Sequence, residues 1–290
     1  MFKQLKNYIK CLGGGEVYRF ITRIILWKKD IFATYQSSKP AKMRITPLGF
    51  KLRGSQSVHH LAMQRGTFDN TEKAFLQEQL KAVDVFVDIG ANIGYYTCFA
   101  RSLGKSVIAI EPFSKNLKYL YENIKVNNWK DIEVFPVGLS DQPGLATFYG
   151  GTSTGASLID NWAGASRIFQ RTVAVSTLDI ILGNRTAGKK ILIKLDVEGA
   201  EYPVLLGSKN ILCSQPRPIW IVEICLAEYH PDGMNKNFKN TFDLFWENGY
   251  LAYTADQNNR LIEPHDVKRC MLQKQSDLGT INIHFIPTIN

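Results

Sequence analysis

Beginning at Asp84, short uninterrupted apolar runs alternate with stretches whose apolar residues recur every three or four positions. Val85–Ile89, Ser106–Ile110, Ile132–Val137, Ile191–Leu195 and Pro216–Ile224 have strand length and end in polar or glycine-bearing turns. Uninterrupted apolar strands are those buried on both faces, as in a parallel sheet. Lys115–Asn127 and Asn237–Glu247 carry helical spacing, the second with Phe242 and Trp246 one turn apart and Gly249 as its stop. Strand, helix and strand in succession predict an α/β fold, a doubly wound Rossmann-like sheet. Leu145–Tyr149 and Arg171–Ser176 read as an antiparallel pair inserted in that core. Tyr250–Thr254 and Ile281–Ile286 read as its closing strands.

The pattern before residue 71 differs, and it divides the chain into an N-terminal basic helical extension with an accessory segment (1–70) and an α/β domain (71–290). Thr71–Leu80 reads as a helix capped by Asn70 or Thr71. Met43–Leu48 and Phe50–Arg53 read as short strands of an accessory hairpin turning at Gly49. His59 and His60 are taken as ordinary polar residues, since neighbours on a helix or strand point apart. Over 16–35, Val17, Ile21, Ile24, Ile25, Ile31, Phe32 and Tyr35 form a helical stripe with Arg19, Arg23, Lys28 and Lys29 interspersed. Such a helix packs on its own domain or on a second subunit, the favoured reading. It can also lie on an anionic membrane surface. Phe20–Tyr35 is too charged and too short to span a bilayer, and the start shows no signal-peptide pattern.

Charge sharpens this division. Residues 1–54 hold 12 Lys and Arg against 2 Asp and Glu, leaving 23 against 24 for the rest, so the excess of +9 belongs to the extension. The neutral body, with no basic stripe, speaks against a nucleic-acid partner. The five cysteines are odd in number and widely spaced with no C-x-x-C pair, the usage of a reducing compartment. The expected location is cytoplasmic, with residues 16–35 able to touch the inner face of a membrane.

Two strand ends carry candidate chemistry. After Val85–Ile89 comes D-x-G-x-N-x-G, with Asn92 where a dinucleotide loop would place its second glycine. Asp88 is placed to pair with a cationic amino group, and Glu111, ending the next strand, to hold a ribose diol. An amino-acid end and a ribose describe S-adenosylmethionine better than NAD. The second centre is Lys194-Leu-Asp196-Val-Glu198-Gly-Ala-Glu201, three acids and a lysine at a strand-to-helix turn. That edge of a doubly wound sheet faces the ligand crevice. Glu223, on the fifth strand, and His230 are further candidates for a base. The acids could instead hold Mg²⁺, but no metal is assumed. Gly150–Ser157, rich in Gly, Ser and Thr and followed by Trp162, has the composition of a substrate lid or of a plain surface loop.

VFVDIGANIGYYT, AIEPFSKNLKYLYENIKVNN, VGLSD, TLD and IKLDVEGAE, in that order, resemble the FkbM-type family of S-adenosylmethionine-dependent methyltransferases. The resemblance implies a mostly parallel methyltransferase sheet whose last strand is antiparallel. It also implies O-methylation of a hydroxyl on a sugar, glycan or polyketide-like acceptor. The expected cofactor set is Asp88, Gly90, Ala91, Asn92, Gly94, Tyr95 and Thr97, with Glu111, Pro112, Gly138, Leu139 and Asp196. The family points to Asp196, Glu198 and Glu201 for the base, with His230 as second choice. A nicotinamide oxidoreductase and a non-catalytic adenosyl-ligand binding protein are the rival readings.

Overall fold

The computed structural model describes residues 31–152 and 154–288, opening in helical residues 31–38. Then come β1 (Arg44–Ile45), β2 (Lys51–Leu52), α1 (Val58–Arg65), α2 (Asn70–Leu80), β3 (Val85–Ile89), α3 (Tyr95–Ser102), β4 (Ser106–Ile110) and α4 (Ser114–Val126). β5 (Ile132–Phe135), β6 (Gly138–Leu139), β7 (Gly144–Phe148), β8 (Arg171–Ser176), α5 (Leu178–Leu182) and β9 (Ile191–Leu195) follow. The chain ends through α6 (Glu201–Leu206), α7 (Lys209–Leu212), β10 (Ile219–Glu223), α8 (Phe238–Glu247), β11 (Tyr250–Thr254), β12 (Leu261–Ile262), α9 (Pro264–Gln273) and β13 (Asn282–Pro287). The membrane or subunit contact expected of residues 16–35 falls for residues 16–30 outside the described residues. Ile31, Phe32 and Tyr35 are exposed. No helix among the described residues is long and apolar enough to cross a membrane.

Eight strands form one sheet in the order β12-β11-β13-β10-β9-β3-β4-β5. β10, β9, β3, β4 and β5 are mutually parallel, and β13 runs antiparallel to both β10 and β11. The expected parallel core with an antiparallel last strand is therefore present. Every residue of β3 and of β9 is buried, which is why, Asp88 and Lys194 apart, their sequences are apolar without alternation. Chain order reverses between β3 and β9, so their carboxyl ends form the topological switch point.

The structure departs from the sequence reading in several places. The third core strand stops at Phe135 because Pro136 has no N–H for the ladder. The chain then leaves the sheet; the expected antiparallel pair forms between β7 and β8, and with β6 it makes a three-stranded sheet separate from the core sheet. Asp69, one residue before the expected caps, closes α2 by accepting the Glu72 N–H at 3.0 Å. Residues 58–65 are helical, capped by Ser57 and ended by Gly66 in the left-handed region, where no helix was expected. The β1–β2 segment packs on α4: Asn127 accepts the Lys51 N–H at 2.8 Å and Asn123 the Arg53 N–H at 2.7 Å.

Candidate active site

At the switch point the loop after β3 and the turn after β9 touch. Asp88 lies in register with Lys194. Gly90 has φ 83°, and a Cβ there would run into the backbone oxygen of Asp196, so only glycine lets the two loops meet. A cleft of about 400 Å³ opens above them. Of the expected cofactor residues, Gly90, Ala91, Asn92, Tyr95, Glu111, Pro112, Gly138, Leu139 and Asp196 line it. Asp88, Gly94 and Thr97 stand behind its wall. Asp88 is 2 % exposed and accepts the Thr97 hydroxyl at 2.5 Å, and burial pushes its carboxyl up to about 6.

Glu111 sits at the end of β4 with both oxygens held. Oε2 accepts the Asn92 N–H and Oε1 the Phe113 N–H, each at 2.7 Å. Burial outweighs these bonds and pushes the carboxyl up to about 7. Val137, Leu139 and Phe148 supply apolar wall nearby.

His59 and His60, taken as ordinary polar residues, are not. They do point apart, but each to a part of the site. His59 lines the cleft, with Nδ1 2.9 Å from Thr154 Oγ1. His60 is fully buried. Its Nδ1 accepts the Ser55 backbone N–H at 3.0 Å, a donor with no alternative role, so the ring proton is on Nε2. Nε2–H then donates to Asn92 Oδ1 at 2.9 Å. Burial pushes the ring down to about 4, which keeps it neutral. Ser57 as cap and Gly66 as stop were the sequence signals of the helix that carries the pair.

The second centre is built around Lys194, 3 % exposed in the middle of the sheet. Its Nζ lies 2.8 Å from Asp196 Oδ2 and 3.2 Å from Glu72 Oε1. Burial opposes its charge, but Asp196 and Glu72 together raise it well above the usual lysine range. Tyr96 donates its hydroxyl to Glu72 Oε2 at 2.5 Å and lays its ring 5.0 Å from the ammonium. The contribution of Glu72 and Tyr96 was not legible in the sequence.

The other candidate bases occupy distinct places. Glu198, at φ 58°, lines the cleft, but its carboxylate accepts the Gly155 N–H at 2.8 Å and the Trp162 Nε1–H at 2.7 Å. Ser157 adds a bond to its carbonyl oxygen at 2.6 Å. The Gly- and Ser-rich segment is thereby seated beside the cleft, with Thr154, Gly155, Ala156 and Leu158 on its wall. Glu201 is buried behind the turn, where Oε1 accepts the N–H groups of Val197 and Gly199. Burial pushes its carboxyl up to about 8. Glu223 lines the cleft, and burial followed by the charges of Asp196 and Glu198 raises it well above the carboxylate range. His230 lines a neighbouring surface cavity rather than the cleft, with its ring edge-on to Trp162 at 6.0 Å. Among the described residues no three His, Cys, Asp or Glu side chains come together in a group that could hold a metal ion.

The sequence model of the methyltransferase FkbM domain matches residues 88–252. A Beauveria bassiana protein described as Methyltransferase 1 is 28% identical over 141 residues, which cover 42% of this chain and 57% of that protein. The chain thus spans little more than half the length of this curated relative. Solved structures similar to it include a SAM-dependent methyltransferase from Agrobacterium tumefaciens, 12% identical, with 81% of this chain and 66% of that one covered and a TM-score of 0.40. Another is precorrin-6y C5,15-methyltransferase from Geobacter metallireducens, 12% identical, with 64% and 74% covered and a TM-score of 0.37.

Proposed function

This chain belongs to the FkbM methyltransferase family, and from that premise we propose that it transfers a methyl group from S-adenosylmethionine to a hydroxyl of a sugar, glycan or polyketide-like acceptor. The observation that carries the reading is one cleft with two chemically distinct walls. Glu111 and the glycine loop form one wall, and Asp196, Lys194 and Glu223 stand at the other.

The residues fit an adenosyl ligand. The cleft has the size of a small-molecule site. Glu111 is fixed by two backbone N–H groups and by the Asn116 side chain, which leaves a lone pair for a ribose hydroxyl. Val137, Leu139 and Phe148 offer an apolar surface for a flat ring, while Asp88, behind the loop, places negative charge near its glycines. When bound, S-adenosylmethionine supplies a methyl group already activated by a sulfonium.

This chain's part is to orient the acceptor and take its proton. Asp196 is the proposed proton acceptor. It lines the cleft, and Lys194 holds one of its oxygens, leaving the other for a hydroxyl within hydrogen-bond reach. Glu198 is a positioning residue, since its carboxylate is engaged by Gly155 and Trp162. Seating the 150–165 segment excludes water and holds the acceptor in line, and positioning of this kind is worth several powers of ten in rate. The test is incubation with methyl-labelled S-adenosylmethionine and a panel of hydroxylated glycosides, read by mass spectrometry. Label on an acceptor oxygen is the expected result, with Asp196→Asn lowering kcat by about 100-fold or more. Transfer only to nitrogen or carbon acceptors, or an unaltered rate in Asp196→Asn, contradicts the proposal.

A further inference from the structure

A second cavity, of about 830 Å³, adjoins the cleft, and Glu223 and Ile281 line both. Five carboxylates line it, those of Asp69, Glu72, Glu223, Glu228 and Asp256, and among the described residues no Lys, Arg or His does. Three of them are clamped through a single oxygen. Asp69 Oδ1 accepts the Glu72 N–H, and Glu228 Oε2 accepts those of Leu226 and Ala227. Asp256 Oδ1 accepts the Asn258 and Asn259 N–H groups and the Thr254 hydroxyl. Among the described residues the second oxygen of each has no donor, so three acceptors are fixed in place with lone pairs to spare.

An independent observation points to a ligand there. Asn282 lines this cavity and is 7% exposed. It stands opposite Glu223 in the β10–β13 ladder, so the two side chains leave the sheet on the same face. Its backbone is bonded to Thr280 and Ala255, but among the described residues its side-chain amide has no partner. The side chain is nearly enclosed and opens on this cavity, which is where a partner for its amide can come from.

We propose that this cavity holds the non-reacting part of the acceptor, and that the acceptor is polyhydroxylated and carries no negative charge. The inference rests on the methyl-transfer reading of the cleft. Hydroxyl groups donate to the open carboxylate oxygens of Asp69, Glu228 and Asp256, and an acceptor oxygen takes the Asn282 amide N–H. A molecule seated so reaches the cleft, and Asp196, across Glu223. Phosphate, sulfate or carboxylate substituents would meet Asp69, Glu228 and Asp256 with no cation on the wall, a repulsive element that selects against them. A neutral sugar and an amino sugar share the hydroxyl array, and the test separates them.

The full chain, labelled with ¹⁵N, is titrated with the methyl glycosides of glucose, glucosamine and glucuronic acid, following the Asn282 side-chain amide by NMR. Shifts with the neutral sugar, the amino sugar or both, and none with the uronic acid, are expected, and the stronger binder identifies the acceptor's charge. Asn282→Leu, which keeps the volume, is expected to weaken that binding about tenfold with unaltered S-adenosylmethionine affinity. Asn282→Asp serves as the second variant should Leu disturb folding, with the same expected loss. Glucuronide binding as tight as that of the neutral sugar overturns the inference, as does unchanged sugar binding in a folded variant or no shift with any of the three. A chain that binds S-adenosylmethionine but fails these arms loses this inference alone. One that binds sugar here but no S-adenosylmethionine keeps the cavity as a sugar site and loses the methyl-transfer reading.

Discussion

His60 donates its Nε2–H to Asn92 at 2.9 Å, and the Asn92 backbone N–H donates to Glu111 at 2.7 Å. The segment before the α/β domain is thereby wired to the carboxylate at the end of β4. His60→Ala removes the acceptor of the Ser55 N–H and one of the holds on Asn92, and opens a hole in a fully buried site. A loss of about 2–4 kcal/mol in denaturant unfolding is expected. S-adenosylmethionine affinity should fall about tenfold with little change in acceptor KM, because the defect lies on the cofactor wall.

Glu111 gives that affinity a pH dependence. Burial raises its carboxyl to about 7, so at lower pH it is protonated and offers one acceptor fewer to a diol. Affinity is therefore expected to rise with pH through about 7 and then level off. Glu111→Gln should flatten the profile at its acid-side value, which calorimetric titration at a series of pH values will show.

Gly199 decides where Trp162 can sit. It has φ 93°, and a Cβ there would collide with the Trp162 ring. Gly199→Ala is expected to cost about 1–3 kcal/mol and to displace the indole from Glu198. A red-shifted Trp162 emission and faster proteolysis within 150–165 would report the release, and the intact-site spectrum in this variant would refute it.

His284 carries a stability penalty of definite sign. It is 4 % exposed, and both ring nitrogens are buried without a hydrogen-bond partner. Burial lowers its folded value from 6.5 to about 4. The unfolded chain therefore takes up the proton first, and stability is fully present above about 6.5 and lost as pH falls towards about 4. His284→Phe has nothing to protonate. Its stability relative to the parent should be flat above pH about 7 and improve on acidification by on the order of 3 kcal/mol.

Much of this was legible in the sequence because it rested on local pattern. The apolar runs gave β3, β4, β9 and β10, and the carboxylate and glycine at the end of β3 marked the edge where the cleft opens. What escaped depends on distant partners. Lys194 reads as a charge in an apolar strand until Glu72 and Tyr96, more than 90 residues away, are seen to pack on it. His60 reads as polar because nothing local reveals the Ser55 and Asn92 bonds that bury it. Glu198 and Glu201 look alike beside Asp196, yet folding turns one towards Trp162 and the other back onto its own turn. The early end of the third strand, by contrast, was available in Pro136.

The most direct test is isothermal titration of the purified chain with S-adenosylmethionine, S-adenosylhomocysteine and NAD, alongside Glu111→Ala. Binding of both adenosyl ligands, no heat from NAD, and a loss of at least about tenfold in the variant are predicted. Tight NAD binding with none of S-adenosylmethionine, or adenosyl binding indifferent to Glu111, would contradict the account.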